Sequence, residues 1–452
     1  MAERLAGIDV GTTNCKVGLY TPDGTALAER GRPTPPDADD LVAGVLADLA
    51  GCVAEAGPPD AIGVTGVAEG GVPLGADLRP LRPLLWWWDD RAAEQARWLA
   101  GDVGRAAIFT RTGVDVAAKT PLATWLWLRR DDPACLDRMR AWVGVPELVA
   151  TALCGDPLGH RTLAGRSGAF DQRADRWDQD LLALAGVDQE RLPSESTGRT
   201  TDGVPVVVAG HDHLVAAHAA GVRAPGAVAD SLGTAEAVVT VSDRAPGPDA
   251  AGTGMSWNRT ADGRHWAMVS GFPHAGRLVD WLCTLAGGDH AHVDALAATV
   301  DRPTGVVVLP YLAGRAAPAP DPDLRLSVHD LASRHALPDV LVAVLEGACC
   351  HARWMAEAQA GHAGTKLGRV TVLGGPSRGR VLMEVKAHVL PGPVRLVRAA
   401  DAARTGAALL AGHAIGLDTP TLGSDELPRD DVLADRYDTM YRDFLSRVQE
   451  ET

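Results

Sequence analysis

Short apolar runs alternate with amphipathic stretches along the whole 452-residue chain, a pattern that predicts strands and helices in turn and an α/β class. LAGIDV and the apolar positions from Val17 to Tyr20 predict a strand pair over Leu5–Tyr20 that turns at Gly11, Thr12 and Thr13. An alanine- and leucine-rich helix is expected over Asp40–Ala56, a strand over Ala61–Val67, and a loop entering a helix over Leu84–Leu99. Mostly helical segments follow at Thr120–Pro133 and Ala141–Gly155. A second cycle begins with the strand VPVVVAG at Val204–Gly210 and a hairpin over Gly226–Ser242 that turns at Gly233 and Thr234. It continues with helices at Gly276–Leu285 and Pro338–Ala358, a strand at Arg369–Gly375 and a closing helix at Ala400–Gly416. Two halves, each with its own glycine-threonine hairpin, predict two related lobes, 1–221 and 222–452, facing one cleft. The proline-rich stretch Arg315–Asp323 reads as an ordered surface loop.

Composition narrows the class. A content of 46% hydrophobic and 22% charged residues is ordinary for a globular protein with full cores. The formal charge of −15 and the scattered basic residues leave no cationic stripe for nucleic acid. Seven cysteines, odd in number and without a CxxC pair, fit neither a disulfide framework nor structural zinc and point to a reducing cytoplasm. No leader segment or apolar run of membrane-spanning length is evident. The adjacent Cys349 and Cys350 read as core.

Candidate chemistry centres on the first hairpin. Gly11 lets the backbone approach an anion, Thr12 and Thr13 supply hydroxyl and amide donors, and Asp9 can hold a hydrated Mg2+. No GxxxxGK[ST] follows a strand, and no GxGxxG occurs in the context of a nicotinamide site. His211 and His213 flank Asp212; because alternate residues at a strand end point to opposite faces, a metal site there is not expected. Of the three consecutive tryptophans Trp86, Trp87 and Trp88, at least one should face the cleft.

The segments GIDVGTTNCK, WWWDDRAAEQ, FTRTGV, SGAFDQRADRWDQDLL, VVVAGHDHLVAAHAAGV, SLGTAEAV, LPYLAGRAAP, VLGGPSRGRV and TGAALLA occur in this order over about Leu5 to Gly416. Together they resemble the signature of FGGY-type carbohydrate kinases. The resemblance implies two ribonuclease-H-like, actin-like lobes with ATP and a sugar or polyol held between them. It implies Asp212 as catalytic base, and Asp9 with Asp212 near a Mg2+ ion held through water. Gly11, Thr12, Thr13, Asn14 and Lys16 fall on the first phosphate hairpin, with Lys16 a contact of the γ-phosphate. Gly233 and Thr234 fall on the second, and Gly374 and Gly375 on the glycine pair against which adenosine lies. On the acceptor side it points to Glu69 and Trp87, and to Asp89 and Arg91, which form either a substrate contact or a structural ion pair.

Substrate identity is less constrained. In VTGVAEGG, Val67 replaces the glutamine of related kinases, and Glu69 could accept bonds from two vicinal hydroxyls while repelling an acid such as gluconate. The segment Ser196–Pro205 is short for the family. A xylulose-like ketopentose or related polyol is the expected acceptor, a cyclitol or modified sugar the alternative. A catalytically silent ATP-binding protein is a further alternative, and a homodimer is compatible with the sequence.

Overall fold

The structure, a computed structural model, describes residues 3–451 other than 234 and 274, and only the backbone at 376 and 378. Two mixed sheets organise it. In the N-terminal one, β1 (Leu5–Val10), β2 (Asn14–Tyr20), β3 (Ala26–Pro33), β4 (Ala61–Gly66), β5 (Thr197–Arg199) and β6 (Pro205–His211) lie in the order β5-β6-β4-β1-β2-β3. β1, β4 and β6 are parallel, with β2, β3 and β5 antiparallel at the flanks. The C-terminal sheet contains β7 (Val228–Leu232), β8 (Glu236–Ser242), β9 (Ser256–Arg259), β10 (Trp266–Phe272), β11 (Val370–Gly374), β12 (Val394–Val397) and β13 (Ser424–Glu426). Its order is β9-β10-β8-β7-β11-β12-β13, so each sheet starts from an antiparallel hairpin whose first strand pairs in parallel with a later one. The short segment before Pro205 supplies the edge strand β5, which pairs Thr197 with Val207.

Five helices matter here: α1 (Ala38–Ala56), α2 (Asp212–Ala219), α3 (Leu337–Ala363), α4 (Arg380–Val389) and α5 (Ala402–Ala414). α1 starts two residues before the expected position because the Asp37 side chain caps it, accepting from the amides of Asp39 and Asp40. α3 runs five residues beyond Ala358 and buries Cys349 and Cys350 in the C-terminal core. The Arg315–Asp323 loop is ordered as expected, but Arg315 and Ala317 are buried in it rather than lying on the surface.

The two halves exchange helices. Leu214, Ala216, Ala217 and Ala219 of α2 pack with Ala229, Val239 and Leu373 of the C-terminal sheet. In return, Ala408 and Ala411 of α5 pack with Leu5, Tyr20 and Ala61 of the N-terminal sheet. Glycines on the receiving strands make this second contact close. Gly7 and Gly63 are in register on β1 and β4, and a Cβ on either would lie 2.1 Å from the Arg404 carbonyl or 2.0 Å from that of Ala407.

Candidate active site

Asp9 is the penultimate residue of β1, opposite Lys16 across the hairpin and beside Thr65 of β4. It is buried, and its Oδ1 has no hydrogen-bond partner among the described residues. Burial raises its pKa well above the ordinary carboxylate value, the charges of Asp401 and Asp212 add to the rise, and Lys16 opposes it. Lys16 lies 3.9 Å from Asp9 and 2.7 Å from Asp401, the residue that caps α5 through the Arg404 amide. The hairpin turn closes through Gly11 N–H to the Asn14 carbonyl at 3.1 Å. Thr34 braces it by donating its hydroxyl to the Gly11 carbonyl at 2.8 Å. Thr13 and Asn14 are exposed at the tip.

Asp212 opens α2 directly after β6. Thr65 Oγ1 donates to the Gly210 carbonyl at 2.7 Å, and the His211 amide donates to Thr162 Oγ1 at 2.9 Å, so the strand end is anchored on both sides of the turn. Burial acts to raise the Asp212 pKa; the neighbouring His213 and His211, the His213 amide at 2.7 Å and Lys16 outweigh it and lower it. Burial pulls the His211 imidazole down to about 4, against the attraction of Asp212, so that ring is neutral. The two imidazoles do not diverge as alternation along a strand would require. β6 ends at His211 and a helix begins at Asp212, and the change of backbone direction places donor atoms of His211, Asp212 and His213 within 4.8 Å of one another.

Glu69 sits at φ 74°, an uncommon conformation for a residue with a Cβ, in the loop after β4. Its Oε1 accepts from Arg166, and its Oε2 lies 2.8 Å from Lys119 Nζ. Burial opposes ionisation, but the two cations hold the carboxyl at about 2. The expected repulsion of an acidic acceptor is thereby corrected: Glu69, Arg166 and Lys119 sum to +1. Arg166 and Glu69 also act electrostatically on His211, the residue before Asp212. Neither Arg166 nor Lys119 was expected, because a single basic residue in a loop carries no periodic or spacing signal.

Of the three tryptophans, Trp86 is buried, Trp88 is 52% exposed, and the two rings stack 4.9 Å apart. Trp87 lies between them in sequence and turns the other way. Its indole N–H donates to Thr12 Oγ1 at 3.0 Å, and Lys119 Nζ lies 6.0 Å from its ring centroid. Asp89 and Arg91 form an ion pair at 2.7 Å, and the Arg91 guanidinium packs over Trp127. Glu69, Trp86, Asp89, Arg91 and Lys119 border a recess of about 10 Å³, room for roughly one water.

On the C-terminal side, Gly233 is exposed at the tip of the β7–β8 hairpin, and its N–H donates to the Ala235 carbonyl at 2.9 Å. Thr234 lies outside the described residues. Gly374 ends β11 at φ 105°, where a Cβ would stand 1.9 Å from the Leu232 carbonyl, and Gly375 beyond it faces open space. Such a backbone edge can receive a flat ligand without side-chain interference. Beneath the hairpin, buried Lys386 of α4 binds Asp230 of β7 at 2.5 Å and Glu236 of β8 at 2.6 Å. His213 Nδ1, 3.4 Å from Ser231 Oγ, links the Asp212 turn to the same hairpin.

No described helix is long and apolar enough to cross a membrane. Residues 55–218 match the N-terminal domain of the FGGY family of carbohydrate kinases, and residues 228–415 match its C-terminal domain. The chain is 27% identical to a glycerol kinase of Citrifermentans bemidjiense over 93% of its own length and 92% of that protein. It is 22% identical to a gluconokinase of Bacillus subtilis over 92% and 88%. Among solved structures, a xylulose kinase from Rhodospirillum rubrum superposes with a TM-score of 0.87 at 25% identity, covering 99% of both chains. Two family domains in sequence, each built on a sheet that opens with a hairpin and flanking one acidic site, lead to one conclusion: the chain belongs to the FGGY family of carbohydrate kinases.

Proposed function

We propose that Asp212 is the base of an ATP-dependent kinase whose acceptor is a sugar or polyol hydroxyl, a xylulose-like ketopentose or related polyol first among them. One observation carries the reading: a 17%-exposed carboxylate held at the β6–α2 turn, where the strand end is anchored by Thr65 and Thr162. In the reaction, the acceptor oxygen forms a bond to the γ-phosphorus, the bond from that phosphorus to the β-bridging oxygen breaks, and the acceptor proton passes to Asp212. A carboxylate of low pKa is adequate, because in a loose transition state the proton leaves late and orientation is the main requirement.

The turn from Gly11 to Asn14, exposed at Thr13 and Asn14, with Lys16, and the tip at Gly233 are suited to the phosphates. The edge at Gly374 and Gly375 is suited to adenosine. The orphaned Oδ1 of Asp9 fits a hydrated Mg2+ ion, with Asp212 the second carboxylate within reach. When bound, that ion neutralises phosphate oxygens. Trp87, held by Thr12, offers its face to sugar C–H groups, and Glu69 with Arg166 and Lys119 offers hydrogen bonds to acceptor oxygens. The net positive charge of the Glu69 cluster favours a second reading, an aldonic acid as acceptor.

The test is ADP release with Mg-ATP across ketopentoses, aldoses, tetritols, glycerol, aldonic acids and cyclitols, beside Asp212→Ala. Turnover with one acceptor that is lost in the variant supports the assignment and names the acceptor class. Undiminished turnover in Asp212→Ala would refute the base.

A further inference from the structure

We infer that His211, Asp212 and His213 together form a binding site for a late first-row divalent cation of the Zn2+ type, and that filling it switches the base off. Two imidazole nitrogens and one carboxylate oxygen make a donor set that suits such cations, whereas Mg2+ prefers oxygen alone. Asp212 Oδ1 is 3.3 Å from His211 Nε2 and 3.9 Å from His213 Nε2. Tetrahedral coordination with bonds of about 2.0–2.2 Å spaces its donors about 3.3 Å apart. One edge already has this length. A second edge, Asp212 to His213, must shorten by about 0.6 Å through movement of His213, whose side chain is the more exposed of the two at 31%, and the third, between the two imidazoles, lies within 4.8 Å.

The surroundings of the three residues favour the same geometry. His213 Nδ1 meets Ser231 Oγ, so its ring is oriented through one nitrogen and leaves the other for the cation, the usual arrangement around a ligating imidazole. The His211 backbone is fixed by Thr162, and its ring touches the His213 ring edge-on with centroids 5.4 Å apart. Three protein donors leave a fourth position for an exchangeable water. A cation held on Asp212 withdraws the electron density that would otherwise receive the acceptor proton, so turnover falls as the site fills. The binding half of this inference stands independently of the acceptor proposed above.

The probe is Co2+, whose visible d–d bands report low-symmetry nitrogen and oxygen coordination without any need for turnover. The wild-type chain should bind one Co2+ with such bands, lose them on adding Zn2+, and keep them in excess Mg2+. His213→Ala should weaken Co2+ binding by about 100-fold, and Ser231→Ala, which removes only the orienting contact, by about tenfold. Far-UV circular dichroism checks that both variants fold. Zn2+ buffered over the same range should inhibit Mg-ATP turnover in parallel with Co2+ displacement. Absence of bands in the wild type, or bands unchanged in His213→Ala, overturns the site. Displacement without inhibition overturns its effect on the base.

Discussion

The Lys16 ammonium lies 2.7 Å from an oxygen of Asp401, joining the second strand of the N-terminal sheet to a helix contributed by the far end of the chain. The γ-phosphate, its expected partner, therefore has to compete with a carboxylate. Asp401→Asn keeps a capping oxygen for α5 and removes the charge. Lys16 is 41% exposed, so screening limits the pair to about 1 kcal/mol, and ATP affinity should rise about two- to fivefold. Calorimetry with a non-hydrolysable ATP analogue measures this; an unchanged or weaker affinity would exclude Lys16 from phosphate binding.

Glu69 gives a pH signature. Its folded-state pKa of about 2 lies below the ordinary value of 4.5, so the unfolded chain binds more protons in between and stability falls as the pH drops through that window. For this group, whose side chain is 8% exposed, the contribution is on the order of 3 kcal/mol, present above about pH 5 and lost towards pH 2. Denaturant titrations at stepped pH should show the loss in the wild type and not in Glu69→Gln. Because that variant also leaves Arg166 and Lys119 uncompensated, its KM for the acceptor should rise about tenfold or more.

Beneath the second hairpin the sign reverses. Burial, together with the charge of Asp230, lifts Glu236 to about 8 despite Lys386, so it is protonated at neutral pH and stability declines as pH rises from about 4.5 to 8. Glu236→Gln imitates the protonated form, should cost less than about 1 kcal/mol at pH 7, and should remove that decline. Lys386→Met leaves Asp230 buried without a counter-charge and should cost about 3–5 kcal/mol. Equal losses in chemical denaturation would mean that Glu236 is ionised.

Gly63→Ala tests the close approach of α5. The added methyl would stand 2.0 Å from the Ala407 carbonyl, a backbone atom that cannot rotate away. The variant should lose about 3 kcal/mol or more, read as a lower denaturant midpoint. Gly416→Ala provides a contrast, because a Cβ there meets no atom within 4 Å and only its positive φ resists.

The strands around the site were legible because each is a short apolar run ending at a residue with chemistry, as Asp9 and His211 show. The partners were not. Lys119, Arg166 and Asp401 reach the site from segments distant in sequence, and their roles arise only once the chain is folded. Alternation misled at His211 and His213 because it holds within a strand, and the strand stops between them. The surface reading of Arg315–Asp323 holds at Pro320, Pro322 and Asp323 but not at Arg315 and Ala317, because proline marks irregular backbone, not exposure, and Arg315 N–H bonds the Asp321 carbonyl at 2.7 Å.

The exchange of α2 and α5 predicts that neither half of the chain is a self-sufficient folding unit. A polypeptide ending near Gly221 would lack the cover over β1 and β4, and one beginning there would lack the cover over β7 and β8. Produced separately, the two fragments should each expose an apolar sheet face and should recover native structure only when mixed. The connection between the halves is thus a matter of shared interior as well as of covalent linkage.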